Sequence, residues 1–437
     1  MSAARGIAGV VTALYLAAEG FSALELGLLF LCVTASSAVM ASLIGLLSDR
    51  VGRKPFLIAI PMLAALAAAI YAFDRAPWVL FVFAALGTFG RGAGAGGGSV
   101  GPYQPAESAL LAESAPSSVR SAVFGRAAFA SSLGALFGGL LASLAHADAH
   151  LTAAAATSVY RPAFLAASVL AAAAGLMAFG LSERREPGAK GERRNRVHWP
   201  KRSWPMLWRF WVTNGVNGFA IGMIGPFMSY WLYLRYAATP AEIGLLFAAV
   251  NLGSLVSTLA AAGIGRRFGT LTAIVAVRAI TGVLLVPMVL APTFWLAGGI
   301  YFVRMLAQRV GLPLRQSFTQ DVADPGERAS LAALSTLSAQ GTMAASQVLA
   351  GYLFAEVSLA APFEVGAVFQ CINAGLYAVL FGRPRSRRRT APLGESGPAN
   401  DRSGSVAAGP PAGDDQDVSD LGLWEPPLAE ETRPRAG

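Results

Sequence analysis

Charge is what this sequence has least of. Only 14% of its 437 residues are Asp, Glu, Lys or Arg, against about a quarter in an ordinary soluble domain. Histidine is nearly absent, with 3 residues, and cysteine is limited to 2. So few cysteines exclude a disulfide-stapled scaffold. Cys32 and Cys371 both fall inside apolar runs, where they read as small buried residues rather than a pair or a metal site. Three histidines are too few for a His-based catalytic constellation. His146 and His150 flank Asp148, but one short segment without a fourth ligand makes a poor metal centre. The glycine-rich stretch Gly90 to Gly101 lacks the Lys-Ser/Thr of a phosphate loop and follows no strand. No metal, no cofactor and no enzymatic activity are expected.

What is present is apolar length. Hydrophobic residues make up 54% of the chain, mean hydropathy is +0.52, and the composition is that of an all-α integral membrane protein. Apolar runs, each near the roughly 20 residues a membrane crossing needs, lie at 6–20, 24–47, 55–73, 77–100, 121–144, 161–182, 205–235, 240–264, 270–291, 293–314, 329–354 and 362–381. The formal charge of +9 does not point to nucleic acid, because the basic residues sit between these runs. One set of loops carries Arg50, Arg53, Lys54, Arg120, Arg184, Arg185, Lys190, Arg193, Arg194, Arg196, Lys201, Arg202, Arg266, Arg267 and Arg328, and the opposite set only Arg75, Arg161 and Arg235. This bias predicts both termini on the cytoplasmic side. No cleavable leader is expected; the first helices direct insertion.

The chain repeats itself. Ser22-Ala-Leu-Glu25-Leu-Gly27-Leu-Leu-Phe30 recurs as Thr239-Pro-Ala-Glu242-Ile-Gly244-Leu-Leu-Phe247, an offset of 217 (Glu25 to Glu242) that also carries Arg50 to Arg267 and Gly52 to Gly269. Asp49 falls on Arg266, so the second copy has lost its acid. A further pair follows the fourth and tenth runs: Glu113 to Arg120, and Asp321 to Arg328. Residues 183–204 form a basic, polar linker between a 1–182 half and a 205–381 half, and 382–437 is a polar tail expected to be disordered. Its basic start, Arg383 to Arg389, fits an ordinary flank of the last span, although it would also favour anionic headgroups. Under the same offset Met1 aligns with Gly218, well inside the seventh span, so the first is short by roughly half a crossing; a start upstream is expected, and a late start that impairs the protein is the alternative.

Between the second and third runs stands Gly45-Leu-Leu-Ser-Asp49-Arg50-Val-Gly52-Arg53-Lys54-Pro55, a charged turn linking two apolar helices. Its spacing resembles the signature loop of major facilitator superfamily transporters. The resemblance implies two six-helix bundles, 12 transmembrane helices in all, related by a pseudo-twofold axis around a central cavity. It implies a monomer in the lipid bilayer of the cytoplasmic membrane that moves a small-molecule substrate by alternating access. It further implies that Asp49, with Arg50 and Arg53, latches the cytoplasmic gate, while Gly45 and Gly52 allow close approach and a tight turn, and that Glu113, Arg120, Asp321 and Arg328 sit at the corresponding gating loops.

Two buried cations are further candidates. Arg91 and Arg304 lie about 14 and 12 residues from the outer ends of the fourth and tenth runs, near mid-membrane at about 1.5 Å per residue. An Arg there is costly unless paired or facing water. By resemblance both face the translocation path, binding an anionic group or modulating a proton site; bonding to backbone carbonyls is the alternative. Arg91 with Gly92, Gly94 and Gly96 resembles the fourth-helix Arg signature of proton-coupled antiporters without its usual Gln, and Gly134-Ala135-Leu-Phe-Gly138-Gly139 resembles their fifth-helix signature with Ala in place of Pro. Close helix packing alone also explains these glycines. Asn214 and Asn217, at i and i+3, share one helix stripe that faces the cavity or a neighbouring helix. Arg126, Arg278 and Arg309, nearer the cytoplasmic ends, are expected to snorkel to headgroups. The function expected is proton-coupled efflux driven by an ion gradient rather than ATP. Uptake of an anionic solute and a non-transporting membrane sensor are the alternatives.

Overall fold

The computed structural model describes residues 1–87, 101–103, 106–108, 110–111, 120–143, 153–181, 204–322 and 328–382. Fourteen helices are delimited among these residues, with no strand among them. In chain order they are α1 (Ser2–Ala18), α2 (Ala23–Val51), α3 (Lys54–Phe73), α4 (Pro77–Gly87), α5 (Arg120–Ser143), α6 (Ala153–Phe179), α7 (Trp204–Ile224), α8 (Met228–Tyr236), α9 (Pro240–Phe268), α10 (Thr270–Val283), α11 (Leu285–Leu290), α12 (Phe294–Val322), α13 (Arg328–Glu356) and α14 (Ala361–Phe381). Two apolar runs are each split: α7 and α8 are one run broken at 225–227, and α10 and α11 one run broken at Leu284. Among the described residues six stretches are long and apolar enough to cross a membrane by length and composition, with mean hydropathies from 1.3 to 2.3. The connector 182–203, the tail from 383 and His146 to His150 lie outside the described residues.

The sequence repeat is a structural repeat. Helices α2 and α9 are both 29 residues long and begin and end 217 residues apart. Each opens on a capping box. Ser22 Oγ accepts from the Glu25 amide at 3.2 Å while the Ser22 amide donates to Glu25 Oε2 at 2.7 Å, and Thr239 and Glu242 repeat this at 3.3 and 2.9 Å. The arrangement satisfies amides that a helix start leaves open. Each helix also closes on a glycine with positive φ, Gly52 at 101° and Gly269 at 82°, where a Cβ would clash with the backbone. The second turn is the all-basic copy: Arg266 and Arg267 are exposed, and the Arg267 guanidinium lies 5.4 Å from the Phe268 ring.

The same repeat positions the two halves. Helix α2 packs on α13 and α9 packs on α5, and these two contacts exchange under the repeat. Small residues set the crossings. A Cβ on Gly27 would meet Gln347 O at 2.6 Å, one on Gly351 would meet Ala23 O at 2.5 Å, and one on Gly139 would meet Gly244 O at 2.9 Å. Gly27 and Gly244 are repeat partners, each four residues from its helix start, so both crossings lie at the end of the bundle that carries the capping boxes. Within the halves, α3 packs on α6, α7 on α13 and α14, and α10 on α12 and α14.

Two boundaries differ from the apolar pattern. Helix α6 starts at Ala153 and runs through Pro162, so Arg161 is a helical residue rather than a flank. Its Nε donates to Ala72 O at 3.1 Å and its guanidinium lies 4.4 Å from the Phe73 ring, tying α6 to the open carbonyls at the end of α3. Cys371 is exposed on the bundle surface rather than buried.

Gly52→Ala and Gly269→Ala each lower stability by about 1–3 kcal/mol, the strain of an Ala in a glycine-only backbone region. Gly375→Ala, where a Cβ meets nothing within 4 Å, does not lower it. Thermal unfolding of the detergent-solubilised protein measures all three.

Candidate functional site

Polar groups gather where the halves meet. Thr34 Oγ1 of α2 donates to Gln347 Oε1 of α13 at 3.0 Å, both fully buried. Ser229 Oγ of α8 donates to Gly9 O of α1 at 3.3 Å. The Gln347 amide nitrogen and the Thr12 hydroxyl, one turn from Gly9, are buried without a partner among the described residues. A buried donor left unmade costs more than a made bond returns, and these two stand one on each half, Thr12 on α1 and Gln347 on α13. Applying the repeat offset, Thr12 corresponds to Ser229, Thr34 to Asn251 and Ser37 to Ser254, and all six are buried. The inner face of each half therefore carries matching polar positions.

The break before α8 supplies the apolar part. Gly225 and Pro226 interrupt the hydrogen-bond ladder, since Pro has no N–H to give, and Phe227 turns toward the other half. Its ring stands edge-on to Phe30 at 5.3 Å, and 5.1 Å from Phe354, which Tyr230 meets in turn at 5.9 Å. Aromatic pairs in such geometry add about 0.5–1.5 kcal/mol beyond their burial.

A second polar system lies inside the C-terminal half. Arg315 Nη1 of α12 donates to Asn214 Oδ1 at 2.6 Å, and Arg278 Nη1 of α10 donates to Asn217 Oδ1. Arg304 Nε donates to Thr281 O at 3.1 Å, and Gln370 Nε2 of α14 to Thr281 Oγ1 at 3.1 Å. Both Asn residues thus accept from guanidiniums on neighbouring helices. Arg304 is 3% exposed and Arg278 8% exposed. The snorkelling expected of Arg278 does not occur: it points at α7, where an amide oxygen meets it. Arg126 is exposed, and the buried Nε of Arg309 has no partner among the described residues.

Other nominated residues fall as follows. Arg91 and Glu113 lie outside the described residues. Gly45, Asp49 and Arg50 occupy the last two turns of α2, Arg120 and Arg328 open α5 and α13, and Asp321 lies in the last turn of α12, with side chains outside the description. Gly52 caps α2, and Arg53 is the N-cap of α3. No cluster of His, Cys, Asp or Glu able to hold a metal ion occurs among the described residues. Thr12, Thr34, Ser229 and Gln347 were not singled out in the sequence, although extending the 217 offset finds three of them. Arg5 was missed too: its guanidinium lies 4.9 Å from the Tyr103 ring and its Nε is buried without a partner among the described residues.

Asn217→Leu leaves the Arg278 guanidinium without its acceptor and lowers stability by about 1.5–3 kcal/mol, the range for hydrogen bonds to charged groups. Arg126→Gln, on the exposed surface, changes it by no more than about 0.5 kcal/mol. Chemical or thermal unfolding in detergent distinguishes them.

The chain resembles solved structures in fold. The nucleoside transporter NupG superposes with a TM-score of 0.67 at 13% identity, over 87% of this chain and 96% of that one. A bacterial homolog of the human lysosomal transporter Spinster, inward-facing and unoccupied, gives 0.65 at 13% over 87% and 93%. A bacterial homologue of the iron transporter ferroportin, inward-facing, gives 0.64 at 14% over 87% and 96%. Identities this low establish the fold alone. No curated protein matches the chain significantly in sequence. The family model of the Major Facilitator Superfamily matches residues 1–216 and again 210–414. With two six-helix halves related by an internal repeat and meeting along α2–α13 and α5–α9, this multi-pass membrane chain belongs to the Major Facilitator Superfamily.

Proposed function

We propose that the protein is a secondary active transporter that exports a small organic solute across the cytoplasmic membrane in exchange for protons, acting as a monomer with both termini in the cytoplasm. The observation that carries it is the paired crossing of the halves at glycine backbones, Gly27 with Gly351 and Gly139 with Gly244. Bulky side chains would lock such crossings. Backbone contacts near one end let the halves rock as units, the motion alternating access needs. The polar and aromatic groups beside those crossings, Thr34, Gln347, Ser229 and Phe227, are placed to hold a solute between the halves. The basic turns after α2 and α9, at the opposite end from these crossings, support a cytoplasmic location for that opposite end.

Asp49 acts as the latch in this proposal. It stands two residues before Val51, the last residue of α2, where a carboxylate meeting a helix N-terminus of the other half contributes about 0.3–1 kcal/mol. That suffices to bias two states differing by only a few kcal/mol. Arg50 and Arg53 flank it, and Glu113, Arg120, Asp321 and Arg328 occupy the corresponding gating turns. Proton exchange and the outward direction rest on the antiporter-like patterns at Arg91 to Gly96 and Gly134 to Gly139.

Reconstitution in proteoliposomes tests the proposal, with candidate solutes drawn from a thermal-stabilisation screen. Flux follows an imposed pH gradient. Asp49→Asn inserts normally and loses most flux, and Gly27→Leu, which wedges α2 from α13, abolishes it. Normal flux in Asp49→Asn removes the latch, pH-independent flux removes the proton, and absence of flux leaves a sensor.

A further inference from the structure

The segment after the fourth apolar run brings a carboxyl group and a guanidinium to one sheltered place. Arg5 of α1 stands over the Tyr103 ring at 4.9 Å. Its guanidinium also lies against Gly101, where a Cβ would overlap Cζ and both Nη atoms. Glu107 follows Tyr103 by one helical turn, its backbone amide donating to Tyr103 O at 2.9 Å, so the two side chains share a face. Tyr103 and the adjacent Ala106 are buried with Ile44 of α2 and Ile60 of α3, and Phe56 packs beside them. The neighbours from α2 and α3 are thus apolar. The charged groups acting on Glu107 both belong to the start of the chain, Arg5 and the amino group of Met1.

Glu107 stands apart from the other carboxylates whose side chains are described. Glu25 and Glu242 are engaged in capping boxes, Asp74 Oδ1 accepts from the Ala76 amide at 2.8 Å, Glu19 pairs with Arg75 at 4.0 Å, and Glu356 and Glu364 are exposed. Glu107 is half-buried, and among the described residues its carboxyl makes no hydrogen bond or ion pair. Arg5 matches it: its guanidinium makes neither among these residues, and its Nε is buried. Burial favours the neutral acid and lifts the Glu107 carboxyl above the ordinary carboxylate value, against the charges of Arg5 and Met1. Both of its states are provided for: apolar neighbours suit the acid, and an unused guanidinium suits the anion.

We propose that Glu107 is the proton-binding group of this protein, neutral while the proton is held and, once water has taken it, an anion balanced by Arg5. The bond that breaks is the carboxyl O–H, and its electron pair stays on the oxygen beside the cation. Half exposure gives that proton a way out to water. The assignment rests on the proton exchange proposed above and supplies the residue that carries it.

The first arm of the test needs no solute. The purified, detergent-solubilised full chain is titrated from about pH 4 to 8, reading the infrared carbonyl band of protonated carboxyl groups and the thermal unfolding midpoint. A carboxyl raised on folding keeps its proton longer in the folded state. Its contribution to stability is therefore complete below the ordinary glutamate value and is lost as pH rises through the folded one. Wild type shows a loss of band intensity and a fall in midpoint over that window that Glu107→Gln lacks. Arg5→Gln moves both changes to higher pH by about one unit or more, as removal of a nearby opposite charge requires, Arg5→Lys returns them, and Glu364→Gln leaves them in place. Identical titrations of wild type and Glu107→Gln overturn the proposal, as does an Arg5→Gln titration that stays put or moves to lower pH. Should Glu107→Gln not survive purification, Arg5→Gln decides. The second arm uses proteoliposomes and the solute selected by the stabilisation screen. Wild-type flux follows an imposed pH gradient and Glu107→Gln flux ignores it. If both follow the gradient, Glu107 is struck out and the exchange stands; if wild type ignores it, the exchange falls and the spectra alone decide whether Glu107 binds the proton.

Discussion

The approach of two helix backbones without intervening side chains is the constraint on which this structure depends. Lipid tails are as apolar as leucine, so membrane helices gain little by hiding apolar surface from each other and associate through close packing and local polar contacts. Where α2 meets α13 and α5 meets α9, glycine brings one backbone against the next, and a methyl group at Gly27, Gly351 or Gly139 would stand under 3 Å from a carbonyl oxygen. Thr34 and Gln347 can bond across the halves only because the chains come this close.

A second constraint follows from the medium. Charge inside hydrocarbon is tolerated only with donors and acceptors arranged around it, and the C-terminal half arranges them in tiers. Asn214 serves Arg315, Asn217 serves Arg278, and the Thr281 carbonyl serves Arg304. These bonds join α7, α10 and α12, so the same interactions that make the guanidiniums tolerable also tie three helices of the half together.

Much of this was legible in the residues and some was not. The ends of α2 and α9 were readable because each is bounded by a chemical signal, Ser22 with Glu25 or Thr239 with Glu242 at the start and Gly52 or Gly269 at the finish. The breaks at 225–227 and Leu284 escape a hydropathy reading because apolar character runs straight through them; Pro226 and Pro287, which have no N–H to give, are the residues that mark them. Arg278 was misjudged for a different reason. Depth along a helix says how far a side chain must reach for water, but not whether an acceptor on the neighbouring helix removes the need. Asn217 is that acceptor, 61 residues away in sequence and on another helix. The hydroxyls of Thr12 and Ser229 escaped because each is ordinary alone and acquires meaning only as one of a related pair.

Helices α2 and α9 are 29 residues long, and each meets the other half closely at its fifth residue. From Gly27 to Val51 the rod extends about 36 Å. Rotating it by about ten degrees around the glycine contact sweeps the distant tip through about 6 Å while the contact itself barely shifts. In the rocking motion proposed above, such a rod acts as a gear: a displacement no larger than one atom beside the fulcrum would become, at the charged turn, an aperture wide enough for water and a small solute.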